Sequence, residues 1–128
     1  MRQIAIDVGD HAVSDQWCIL TTRMGRDIRE PTDAELEQAL KDVFSVHDPE
    51  HPNTWLRQGR DAGPMFVLDV YQSRRILFEQ WADGDFESSL APQVALSDVL
   101  PEVALELWRS LRRGDIDAVR RATSEHDE

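Results

Sequence analysis

A chain of 128 residues with a formal net charge of −11 has the length of one domain and the wrong sign for holding nucleic acid, whose phosphates need a cationic footprint. Its single cysteine, Cys18, excludes an internal disulfide, and no run approaches the ~20 apolar residues of a membrane span. At this size roughly two-thirds of the unfolded surface can be buried, so the core needs neither a metal nor a cross-link.

The opening residues MRQIAIDVGD lack the long apolar stretch of a secretory signal, and a cytoplasmic protein is the expectation. Cations are almost all arginine, Lys41 being the only lysine. The acidic excess aids solubility and equally suits a basic protein partner.

Gln3 to Val8 alternates, with Ile4, Ile6 and Val8 on one side, and reads as a strand ended by the turn Gly9-Asp10-His11. Trp17 to Arg23 reads as a second strand, and Met24 to Asp27 either bends it or begins a loop. Pro31-Thr32-Asp33-Ala34-Glu35 is a helix start, with Thr32 as N-cap and Glu35 completing a capping box. Leu36, Ala39, Leu40, Val43 and Phe44 then recur at helical spacing, and the helix is expected to end near Val46, ahead of Pro49. His47 to Asn53 is a polar loop, Trp55 and Leu56 open a short strand, and Arg57 to Gly63 is rich in turn residues.

Met65 to Tyr71 and Ile76 to Trp81 form a hairpin around Gln72-Ser73-Arg74-Arg75, both arms rich in aromatic and β-branched residues. Alternation puts Phe66, Leu68, Val70, Ile76 and Phe78 on one face. The other face carries Asp69, Tyr71, Glu79 and Trp81, and runs out into the acidic turn Asp83-Gly84-Asp85-Phe86-Glu87. A face that only needs to be wet has no use for large aromatics among carboxylates, so these side chains are the candidate partner-binding residues.

Ser88 to Leu96 is less regular, and Pro92 argues against a helix there. Pro101 suits the first turn of a helix whose inward stripe is Val103, Ala104, Leu107, Trp108 and Leu111. Gly114 ends it, and Asp115 caps a short second helix through about Arg121, with the last residues fraying. The fold class expected for residues 1–128 is therefore a single α+β domain: a mostly antiparallel twisted sheet with helices packed on one face.

No phosphate loop, metalloprotease helix or nucleophile elbow is present. His47 and His51 stand four apart, but the prolines between and beside them oppose the helix that would bring them together on a metal. Asp7, His11 and Ser14 make a hydrolase grouping only on paper, because triads are defined by geometry. Cys18 lies among Trp17, Ile19 and Leu20, which favours a buried thiol over a nucleophile. Asp69, Glu79, Asp83 and Asp85 are the right residue types for acid–base work or a hard cation, and equally for an acidic surface. Trp17, Trp55 and Trp108 read as core or edge residues. No cofactor is expected.

Three stretches carry a resemblance: the capped helix TDAELEQALKDVF, the segment TWLRQGRDAGPMFVLDVYQSRRILFEQWADGDFE, and the late helix LPEVALELWRSLRRGD. Together they resemble the bacterial immunity proteins of polymorphic toxin systems. The resemblance implies a small cytosolic α+β protein, monomeric or weakly dimeric and without enzymatic activity. Such a protein binds a cognate secreted toxin domain, often basic, and occludes its active site. Tyr71 and Trp81 would anchor the contact, and Asp69, Glu79, Asp83, Asp85 and Glu87 would complement the partner's charge. The alternatives are a small enzyme or ligand-binding domain using the same face as a pocket, and a module that dimerises through a sheet edge or the last helix.

Overall fold

The computed structural model describes residues 16–126. The expected strand Gln3–Val8, the turn after it and the grouping of Asp7, His11 and Ser14 lie outside the described residues. Within them the order is β1 (Gln16–Thr21), β2 (Asp27–Arg29), α1 (Asp33–Ser45), β3 (Asn53–Arg60), β4 (Met65–Tyr71), β5 (Ile76–Trp81), β6 (Ser89–Leu96), α2 (Pro101–Arg112) and α3 (Ile116–His126). The strands form one antiparallel sheet ordered β2-β1-β3-β4-β5-β6, and the chain has the α+β architecture expected of it.

One row of side chains explains where the core sits. Ile28, Leu20, Leu56, Leu68, Phe78 and Val94 stand side by side across the six strands, all apolar and all on one face. Leu20, Leu56 and Leu68 are completely buried, each contributing about 2 kcal/mol. Against this row pack Leu36, Leu40 and Val43 of α1, Leu107, Trp108 and Leu111 of α2, and Val119 of α3. Trp108 is fully buried, and its indole Nε1 donates to the Leu68 carbonyl at 3.2 Å, so its one polar atom is satisfied inside the core. Cys18 belongs to the same core. Burial, then the nearby Glu30 carboxylate, push its thiol up to about 12, which removes it as a nucleophile at neutral pH.

The helices are fixed by local chemistry. At α1 the capping box is complete: Glu35 N–H donates to Thr32 Oγ1 at 3.2 Å, and Thr32 N–H to Glu35 Oε1 at 2.8 Å. The far end of α1 has no basic residue in its last turn. Arg23, from the β1–β2 turn, takes that role by donating to the Asp42 and Val46 carbonyls at 2.6 and 2.8 Å. The same guanidinium reaches the His51 carbonyl and the Gln72 side chain, joining α1 to the loops beside β3 and β4. Arg109 of α2 makes a two-pronged pair with Asp33 in the first turn of α1, at 2.7 and 2.9 Å.

Three expectations are corrected. Strand β3 runs on through Arg57 to Arg60, where turn residues suggested a loop, because Gly59 admits a large neighbour discussed below. Ser89–Leu96, read as less regular, is a strand: among the described residues β6 ends the sheet, and its register to β5 slips between Ala91 and Val94, where Pro92 with its missing N–H is accommodated. Helix α3 continues past Arg121 to His126, since Val119 and Thr123 extend its buried stripe and the Thr123 hydroxyl donates to the Val119 carbonyl at 2.9 Å. Met24–Asp27 resolves as a hairpin turn with Gly25 at φ +85°, leading into the three-residue β2.

Candidate functional site

The sheet face turned away from the helices is built from three rows. The first is Trp17, Gly59, Met65 and Trp81; the second Arg29, Ile19, Arg57, Val67 and Glu79; the third Asp27, Thr21, Trp55, Asp69 and Leu77. Asn53 and Tyr71 pair beyond the third row. Alternation along each strand therefore collects three tryptophans, a tyrosine, two arginines and three carboxylates on a surface that none of the described helices covers.

Close packing makes this face a shaped floor. A Cβ at Gly59 would lie 2.7 Å from Cζ2 of Trp17, so the indole of Trp17 rests on the glycine backbone. Met65 and Val67, although on the outer face, are buried. The turn after β5 folds back over the sheet, held by Ala82 N–H to the Ser88 carbonyl at 2.7 Å, and drops Phe86 beside Val67 and Arg57. The Phe86 and Trp81 rings meet edge to face at 5.3 Å. Phe86 has φ +59°, a conformation that costs a residue with a side chain, yet the residue stays 47 % exposed.

Two shallow depressions flank Arg57. One, about 280 Å³, is lined by Trp55, Arg57, Val67, Asp69, Glu79 and Phe86 with Asn53 at its end. The other, about 310 Å³, lies among Trp17, Ile19, Arg29, Arg57 and Met65, with Asp61 and Gly84 at its rim. Both are at or below the small end of small-molecule sites, which span ~300–1,000 Å³. A larger concavity of about 720 Å³ lies elsewhere, between α1 and α2, walled by Leu40, Phe44 and Leu105. It holds no buried side-chain polar atom lacking a partner, so size alone recommends it.

Of the residues expected to bind a partner, Asp69, Tyr71, Glu79 and Trp81 come together on this face, each half-buried. Trp81 Nε1 donates to Glu79 Oε1 at 3.0 Å, which holds the indole edge and the carboxylate as one unit. Asn53 Nδ2 donates to Asp69 Oδ1 at 2.8 Å. Burial pushes the Asp69 carboxyl above its ordinary range, with the Asn53 amide and the Tyr71 hydroxyl pulling it back. Burial, then the Asp69 charge, likewise raises the Tyr71 phenol. Asp83, Asp85 and Glu87 sit on the turn beyond the face; the turn sends Gly84 and Phe86, not these carboxylates, into the depressions. Asp83 Oδ1 accepts from Asp85 N–H at 2.9 Å and shapes the turn itself.

Sequence reasoning placed Trp17 and Trp55 in the core or at an edge, and overlooked Arg57, Arg29 and Phe86. The signal was available: Trp17 and Ile19 have opposite parity to the buried Cys18 and Leu20, and Trp55 and Arg57 to the buried Leu56 and Gln58. His51 turns its Nδ1 to Asp48 Oδ2 at 2.9 Å, which lowers the Asp48 carboxyl. Among the described residues, no group of three or more His, Cys, Asp or Glu side chains is placed to hold a metal, and no helix is long and apolar enough to cross a membrane. No family model matches the chain, and neither a curated protein nor a solved structure does so.

Proposed function

We propose that this chain is a cytoplasmic immunity protein, one that uses its outer sheet face to dock on a cognate secreted toxin domain and occlude its active site. The supporting observation is the face itself: half-buried Trp81, Tyr71, Trp17 and Trp55 among fixed charges, opposite the helical layer. Aromatic anchors amid charges are the composition of a protein-binding hot spot. Its shallow relief suits a broad macromolecular contact better than an enclosed small ligand. The protein acts by occupation and makes or breaks no covalent bond. Asp69 and Glu79 lie at the contact, and the exposed Asp85 and Glu87 steer the encounter from the turn.

The test is co-expression with the C-terminal domain of the large reading frame beside its gene. A toxic domain silenced by this chain, and a 1:1 complex on purification, are expected. Trp81→Ala should weaken the complex by about 2 kcal/mol or more with circular dichroism unchanged. A neighbour that is harmless alone, or a complex indifferent to Trp81, overturns the reading.

A further inference from the structure

Arg57 is the odd group on the outer face. Its Nε is buried and has no hydrogen-bond partner, the one such side-chain atom among the described residues. Arginine cannot shed its proton, so the donor stays in need of an acceptor, and a buried unmet donor destabilises the folded state. Asp69 and Glu79 share a depression with Arg57, yet no carboxylate among the described residues lies within 4 Å of its nitrogens. Arg29 stands in the same row, across Ile19, roughly 10 Å away by two strand spacings, and it too has no ion pair among the described residues. The row is therefore split by charge: Arg29 and Arg57 towards β2, Glu79 towards β5, with Trp17 walling the cationic side.

We infer that this cationic half receives a carboxylate side chain from the protein that docks on the outer face. The inference rests on the docking reading above and changes its terms: the partner's surface is not uniformly basic but carries an acidic residue beside its cations. A carboxylate fits the fork of a guanidinium through two parallel hydrogen bonds, and an oxygen that works its way in to the buried Nε meets a donor that no described residue satisfies. A polyanion does not fit, because Asp61, Asp69, Glu79 and the net charge of −11 repel an extended phosphate chain while leaving room for one local negative group. The split also fixes orientation: a partner turned end for end would set its acid against Glu79 and its base against the arginines.

Arg57→Met keeps most of the side chain's length and removes the unmet donor. It is expected to raise the unfolding midpoint while lowering affinity for the purified, catalytically inactivated neighbour-encoded domain at least tenfold. Arg57→Glu should lower affinity further, and replacing one Asp or Glu of that domain by Arg should restore binding to Arg57→Glu alone. Arg29→Gln should cost several-fold. Wild-type affinity in Arg57→Met and Arg57→Glu, in a complex still broken by Trp81→Ala, overturns the carboxylate site and leaves the docking reading standing. Absence of any wild-type complex overturns both.

Discussion

Trp17 lies on Gly59 across the β1–β3 pairing, its ring 2.7 Å from where a Cβ would stand, with the Pro64 carbonyl 2.9 Å away on the same side. The glycine is there for space and not for an unusual backbone angle. Gly59→Ala should destabilise by about 1–3 kcal/mol, because the indole or the strand must shift. Denaturant unfolding gives the size, and a change in native tryptophan fluorescence shows the ring has moved. Trp17→Ala in the same chain should relieve the part of the cost that comes from the indole and leave the part set by the Pro64 carbonyl, a non-additivity expected of residues in direct contact.

Arg23 binds two carbonyls of the last turn of α1 and two further acceptors outside the helix. Arg23→Ala should cost about 2 kcal/mol, since it leaves several acceptors to water or to nothing. Arg23→Lys should recover less than half, as a single ammonium cannot span the fork. Urea titration of the three proteins decides it.

The Arg109 hydrogen bonds hold the Asp33 carboxyl down at about 2, well under its ordinary 3.8. The folded-state value lies below the unfolded one, so the unfolded chain binds more protons in between. The contribution is complete above pH ~4 and is lost as pH falls towards 2. Asp33→Asn should flatten the stability profile in that window and leave its shape above pH 5 unchanged, as measured by unfolding across the acid range.

Asp69 works with the opposite sign. Burial raises its carboxyl, so the folded state holds the proton more tightly, and stability falls as pH rises from the unfolded value through the folded one. Asp69→Asn removes that slope. It should leave stability at neutral pH equal or higher, because Asn53 Nδ2 still finds an acceptor, while weakening the docked complex. Paired unfolding and binding measurements separate the two effects.

The central hairpin was legible because its two arms alternate cleanly, and Met65–Tyr71 and Ile76–Trp81 are the strands observed. The start of α1 was equally legible, since Thr32 and Glu35 carry their own geometry. What stayed hidden depends on contacts between distant residues. Gly59 reads as a breaker until Trp17, more than 40 positions earlier, is seen to need its space. Ser88 to Leu96 reads as irregular until β6 proves to pair with β5 in a slipped register. Half of the candidate face was visible, the half on β4 and β5. Arg57 was missed because Arg57 to Gly63 reads as loop, and a loop has no faces to assign; Trp55 was read as core or edge because two strand residues, Trp55 and Leu56, are too few to show an alternation.

The slipped register around Pro92 has a consequence for how copies of this chain meet. A strand from another molecule laid along β6 would find a missing donor and a broken repeat of hydrogen-bonding groups, so fibril-like growth from that rim is frustrated. That margin of the sheet is in effect blunted against further strand pairing.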